Sequence, residues 1–151
     1  MTDVIAIREA NLDDLEALLA FEQGVIEAER PLGPFLKKGA FHYYNIPAII
    51  TSEATHFIVA ICKNELVGCG YVSIENSKQY QKNPLHGYIG FIYVKPNFRG
   101  NRICTLVLES LKTWALSKEL RLDVYSNNPS AIKSYARFGF VKSLVNMRID
   151  I

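Results

Sequence analysis

Asn128-Pro129-Ser130-Ala131-Ile132-Lys133-Ser134-Tyr135-Ala136-Arg137-Phe138-Gly139-Phe140 follows closely on the apolar run Leu120–Tyr125. The run reads as a strand. Asn128 suits a helix cap and Pro129 the first helical position, so Asn128–Phe138 is expected as a short capped helix. Tyr135 then lies two turns into it. Upstream, Val94-Lys95-Pro96-Asn97-Phe98-Arg99-Gly100-Asn101-Arg102-Ile103-Cys104 repeats the plan. A strand, Gly87–Val94, ends at Pro96, and a basic turn leads into a second helix. In that helix Ile103, Leu106, Val107, Leu111, Trp114 and Ala115 keep helical spacing across Asn101–Lys118. Two strand-to-helix junctions therefore stand in succession. The first offers a helix N-terminus to an anion and the second carries a tyrosine. Together they suggest a phosphate-bearing cofactor beside a proton donor.

Working outward, Val4–Ile7 reads as a first strand. Asn11 caps a helix with Asp13 and Asp14 in its first turn, where negative charge suits the dipole. Leu12, Leu15, Leu18 and Leu19 carry the helical period until Pro31, Gly33 and Pro34 break it. A second helix is expected around Phe41–Thr51, with Pro47 counting against it. Thr55–Cys62 and Leu66–Ile74 read as an antiparallel hairpin, followed by a polar loop. Gly90, inside Gly87–Val94, is a candidate bulge. Phe140-Val141 and Val145–Ile151 are expected to finish the chain as strands. The predicted order β-α-α-β-β-β-α-β-α-β-β is a mixed α+β arrangement in one domain, residues 1–151.

The spacing Asn128, Ala131, Tyr135, Gly139, Phe140 and the turn Arg99–Cys104 resemble the GNAT superfamily of N-acetyltransferases. The resemblance covers the last third of the chain strongly and the rest in element order. The family's cofactor motif runs Arg/Gln-x-x-Gly-x-Gly/Ala. Arg99, Gly100 and Ile103 match its usual pattern, whereas Arg102 replaces the middle glycine and Cys104 the final Gly/Ala. The second motif, Asn-x-x-Ala-x-x-x-Tyr-x-x-x-Gly-Phe, is intact. The resemblance implies a mostly antiparallel twisted sheet flanked by helices. It also implies acetyl-CoA as cosubstrate, no metal, and direct transfer of acetyl to a primary amine of a small molecule, peptide or protein. A non-catalytic acyl-CoA sensor and an interaction domain on the same fold are the competing readings.

Physical chemistry supports that assignment in part. A helix N-terminus supplies unpaired amides and partial positive charge to the phosphates of coenzyme A. Arg99, Gly100, Asn101, Arg102, Ile103 and Cys104 form that turn, and Lys95 adds a third cation. Arg102 cannot reach positive φ cheaply, but needs no special φ if it is already helical. A solvated basic turn is the plainer alternative. Ile92 and Val94 are expected to offer backbone groups to the pantetheine arm, like an added strand, and an amide there to an oxyanion. Asn128 is read as a cap, with the resemblance adding a contact to the cofactor. Tyr135 by itself reads as a core aromatic; in the family a tyrosine here can protonate the departing thiolate, and a phenol of pKa about 10 holds its proton at neutral pH. An alkylamine must lose a proton before attack. Strand Gly87–Val94 carries no acid, which leaves Glu27, Glu29, Glu75, His86 or a water chain.

The remaining features exclude more than they assign. At 151 residues the chain can bury about 68–70% of its unfolded surface. A net charge of +2 gives no pull toward nucleic acid or a membrane surface, and no uncharged apolar run is long enough to span a bilayer. Cys62, Cys69 and Cys104 cannot all pair, and Asp3, Arg8 and Glu9 interrupt any secretory signal, so a cytoplasmic protein with reduced thiols is expected. Cys104, at a helix start, is either a thiol of lowered pKa or a small packing group. His42, Tyr43, Tyr44 and Tyr80 read as packing residues that would line the substrate side. His42, His56 and His86 have no metal-ligand spacing. A homodimer through the C-terminal strands is what the resemblance allows.

Overall fold

A computed structural model describes residues 3–116 and 119–151. Five strands, β1 (Ala6–Glu9), β2 (Thr55–Cys62), β3 (Glu65–Asn76), β4 (Leu85–Val94) and β5 (Leu120–Leu122), form one sheet in sequence order. The first four pair antiparallel; β4 and β5 pair parallel. The hairpin β2–β3 closes through Lys63 and Asn64, both at positive φ, which matches the twist of a two-residue connection.

Alternation along the central strands builds two cores. Phe57, Val59, Cys69, Tyr71 and Phe91 meet Leu18 and Phe21 of α1 (Leu15–Glu29) and Ile46 of α2 (Ile46–Thr51). On the other face Ile58, Ala60, Val67, Val72 and Ile89 meet Ile103, Val107, Leu108 and Leu111 of α3 (Ile103–Ala115). The last helix, α4 (Pro129–Phe138), has no fully buried residue.

Several boundaries differ from expectation. The first strand is displaced to Ala6–Glu9, and Asn11 caps a 3-10 turn, Leu12–Asp14, that leads into α1. Pro47 does not break α2: it stands in the first turn, where a missing N–H costs nothing, and the Asn45 side chain accepts from the Ala48 amide at 3.3 Å. Helix α3 starts at Ile103 rather than Asn101, and its expected end at Lys118 lies outside the described residues. The two final strands are absent among the described residues. Beyond Phe140 the chain forms no regular structure, and Val145, Met147, Ile149 and Ile151 stand at least 80% exposed. Alternating apolar residues signal a strand face but cannot supply the neighbouring edge that a strand needs.

Candidate functional site

The site begins where the sheet opens. Strand β5 follows β4 only through Gly87↔Leu120, Tyr88↔Arg121 and Ile89↔Leu122. Immediately afterwards Gly90 is the extra residue of a bulge: Ile89 opposes Val72 and Phe91 opposes Tyr71, with nothing opposite Gly90. Only glycine fits, because a Cβ there would lie 2.0 Å from the Tyr71 hydroxyl. Lys95 N–H donates to Val67 O of β3 at 2.8 Å. Amides alternate sides along a strand, so those of Val94 and Ile92 face the opposite edge, which β5 has left. Beyond Ile89 that edge has no strand partner among the described residues, although the Val94 carbonyl on it accepts from Arg99 Nε.

At its end lies the basic turn. Gly100 has φ +84° and Arg102 φ +64°. Arg102 is therefore left-handed, not helical, and accepts a strain of about 1–2 kcal/mol that glycine would avoid. The first helical bond of α3 runs from Leu106 N–H to Arg102 O, so the preceding amides point out of the helix end. Ile103 itself is buried in the core, and only its backbone can meet a ligand. The Arg99 Nε donates to Val94 O at 3.0 Å and the guanidinium lies over the Tyr93 ring. Asn101 Nδ2 donates to Phe98 O at 3.2 Å, bracing the turn. Lys95 does not join this cluster: its ammonium lies 2.7 Å from Glu65 on β3. Burial raises the Cys104 thiol, with the Ser134 hydroxyl opposing, so Cys104 is a packing group and not an activated thiol. Between α3 and α4 runs a groove of ≈ 880 Å³ whose walls include Arg102, Lys112 and Arg137 against one acid, Glu109.

Helix α4 places Tyr135 beside the bulge. Asn128 Oδ1 accepts from Ala131 N–H at 3.3 Å, so the asparagine is the cap expected of it. The Tyr135 hydroxyl is raised above the ordinary phenol value by burial first, then by the Cys104 thiol and the Glu29 carboxylate. It keeps its proton throughout the neutral range. A cavity of ≈ 60 Å³ brings Tyr135 together with Gly90, Ile92, Tyr44, Glu29 and Asp123.

The far wall of that cavity depends on Glu22, which sequence reading passed over. Glu22 is fully buried on the apolar face of α1. Its carboxylate accepts from His42 Nδ1 at 2.6 Å and from the amides of Tyr43 and Tyr44 at 2.9 Å each. Tyr44 is thereby held where its hydroxyl donates to Gly90 O at 2.8 Å and its ring stacks on Phe91. The signal was present: Glu22 falls four residues after Leu18 and four before Ile26, an acid on an apolar stripe.

The base candidates separate cleanly. Glu27 is exposed and bonded to Arg30 at 2.9 Å. His86 is buried at the start of β4, with Ser77 Oγ 2.8 Å from its Nδ1 and Glu75 3.6 Å from its Nε2, away from the bulge. Glu29, at the last position of α1, lines the cavity. Burial raises its carboxyl, with the Tyr43 hydroxyl pulling the other way. Among the described residues no group of three or more His, Cys, Asp and Glu could hold a metal ion, and no helix is long and apolar enough to cross a membrane.

The model of the acetyltransferase (GNAT) family matches residues 17–140, and the chain belongs to that family. Its fold is that of GNAT acetyltransferases, a mostly antiparallel five-stranded sheet with helices on both faces. A mutant BH1408 protein from Bacillus halodurans superimposes with a TM-score of 0.87 at 20% identity, over 97% of this chain and 99% of that one. Aminoglycoside N-acetyltransferase AAC(6')-Iy in complex with CoA gives a TM-score of 0.74 at 15% identity, over 100% and 97%. The same enzyme with the bisubstrate analogue CoA-S-monomethyl-acetylneamine gives 0.74 at 18% identity, over 98% and 99%. No curated protein sequence matches the chain.

Proposed function

We propose that this acetyltransferase uses acetyl-CoA and passes the acetyl group directly to a primary amine of a small molecule, peptide or protein. The observation that carries the reading is the free edge of β4 beyond Gly90, which ends at the cationic turn and faces the tyrosine of α4. The CoA complexes of AAC(6')-Iy, a structural neighbour, support the choice of cosubstrate.

Acetyl-CoA supplies the acetyl group as an activated thioester. The amides of Ile92 and Val94 would pair with the pantetheine arm as a short added strand. The N-terminus of α3, with Arg99 and Arg102, would meet the phosphates, and the groove between α3 and α4 would take the nucleotide end. Alternatively the Ile92 amide would polarise the acetyl oxygen as charge grows on it, leaving the Val94 amide to the pantetheine arm. Tyr135 donates its proton to the departing sulfur. Asn128 keeps α4, and with it Tyr135, in register by capping. The three free cysteines support a reducing, cytoplasmic setting, and the exposed apolar arm after Phe140 supports a homodimer.

Calorimetric titration with acetyl-CoA, comparing wild type and Arg99→Glu, tests the reading. Binding that the charge reversal abolishes, together with acetylation of at least one member of an amine panel, is expected. Binding without acetylation across the panel would favour the sensor reading, and absence of binding would overturn both. Tyr135→Phe should slow turnover by about 10²-fold or more with acetyl-CoA affinity retained; unchanged turnover would remove Tyr135 from the mechanism.

A further inference from the structure

The amine must lose a proton that nothing in the machinery above accepts, and the cavity beside Tyr135 supplies an acceptor. Two carboxylates line it and their surroundings differ. Asp123, just after β5, is exposed, and its Oδ2 accepts from the Tyr88 hydroxyl at 3.0 Å. Glu29 is half-buried and faces tyrosines: Tyr43 from the 41–45 segment, Tyr125 beyond β5 and Tyr135 from α4, each of which feels its charge, as does Tyr44. The neighbouring cation is directed elsewhere, since Arg30 bonds Glu27 and the Gly39 carbonyl. Arg148 from the C-terminal arm reaches Tyr125, which it lowers. The Tyr43 hydroxyl is buried beside Glu29 and draws its carboxyl down against the effect of burial. A cavity of ≈ 60 Å³ has room for an amino head group and little more, so the body of the acceptor stays outside.

We propose that Glu29 is the general base of the transfer and that Asp123 holds the acceptor as a cation, which makes the substrate an unbranched aliphatic primary ammonium entering a tyrosine-walled slot. The proposal rests on the acetyl-transfer reading. The protons balance as follows. The ammonium gives one proton to Glu29, and its nitrogen attacks the acetyl carbon as the C–S bond breaks and its electron pair goes to sulfur. Tyr135 protonates the sulfur and is reprotonated by the second proton lost from nitrogen. The third stays in the amide, and Glu29 releases its proton to solvent. Glu29, whose carboxyl burial raises, is the proton acceptor, and Asp123 is the exposed carboxylate of the pair.

The test uses the full chain as wild type, Glu29→Gln, Glu29→Asp and Asp123→Asn, with butylamine, 1,4-diaminobutane and spermidine as probes. Glu29→Gln should lower kcat by about 10²-fold or more, while acetyl-CoA affinity measured by titration stays within about twofold. Glu29→Asp should recover part of kcat, and Asp123→Asn should raise KM for the amine more than it lowers kcat. Without any cosubstrate, carboxyl carbon NMR should show Glu29 titrating above the ordinary glutamate value of 4.5. Wild-type transfer that survives Glu29→Gln within about threefold overturns the role of Glu29 and leaves acetyl transfer standing. Titration of Glu29 at or below its ordinary value overturns the role as well. A wild type that binds acetyl-CoA and acetylates neither these probes nor a lysine peptide overturns the substrate class; extending the panel to peptide N-termini, whose amine sits on a branched carbon, then shows whether transfer itself fails.

Discussion

Replacing Glu22 by alanine removes one acceptor from three donors at once, and the cost can be worked from their surroundings. The amides of Tyr43 and Tyr44 both end on Glu22 Oε2 at 2.9 Å. Each amide left without a partner costs about 1–3 kcal/mol. His42 is 64% exposed and can turn to water, so its bond adds little. Water entering along the exposed His42 side would recover part of the amide penalty. The expected loss is therefore about 3–4 kcal/mol, a large share of the 5–15 kcal/mol typical of a domain. Glu22→Gln, which keeps one oxygen for the two amides but presents an NH₂ to His42, should lose at most about half as much. Urea unfolding followed by circular dichroism, with linear extrapolation, reads both values. A loss below about 1 kcal/mol for alanine would refute the claim that Glu22 clamps the 41–45 segment. Function should suffer too, because Tyr44 braces the bulge through Gly90 O.

Arg102→Gly relieves about 1–2 kcal/mol of left-handed strain and gives back about 0.4–1 kcal/mol in unfolded-chain entropy. The net gain of about 0.5–1 kcal/mol should raise Tm by about 1–4 °C, whereas acetyl-CoA affinity should fall with the lost guanidinium; a lower Tm would refute the strain argument. Asp14 is held below the ordinary carboxylate range, first by the Arg8 hydrogen bonds at 2.8 and 2.9 Å and further by the Asn11 amide, against the opposing effect of burial. A depressed carboxyl contributes stability above its unfolded value, and that contribution disappears as pH falls through the folded value. Asp14→Asn should therefore cost about 1 kcal/mol near neutrality, screened by the partly exposed Arg8, and progressively less as pH falls through the folded value; an undiminished difference in acid would exclude the ion pair as its source. Deleting residues 144–151 should turn a dimer into a monomer by light scattering, and a wild type that is monomeric at every concentration would refute pairing through the arm.

The periodicities of the chain by themselves determined the mixed α+β class, both strand-to-helix junctions, the cap at Asn128, the bulge glycine at Gly90 and the tyrosine of α4. Each depends on residues close in sequence, where spacing and backbone preference suffice. Local reading left Cys104 between an activated thiol and a packing group. It could not decide the state of Arg102, because both a helical and a left-handed backbone fit the same letters. The commitment of Lys95 to Glu65 was hidden because the two residues meet only across the β3–β4 pair. Glu22 was legible as a misplaced acid but not as a clamp, since its partners lie twenty residues away on a segment without regular structure. Only the tertiary structure chose Glu29 over Glu27. The two stand two positions apart on one helix, and a rotation of about 200° between them sends one side chain to solvent and the other into the cavity. The C-terminal arm shows the opposite limit: alternation is a property of the segment, but a strand exists only where a neighbouring edge completes its hydrogen bonds.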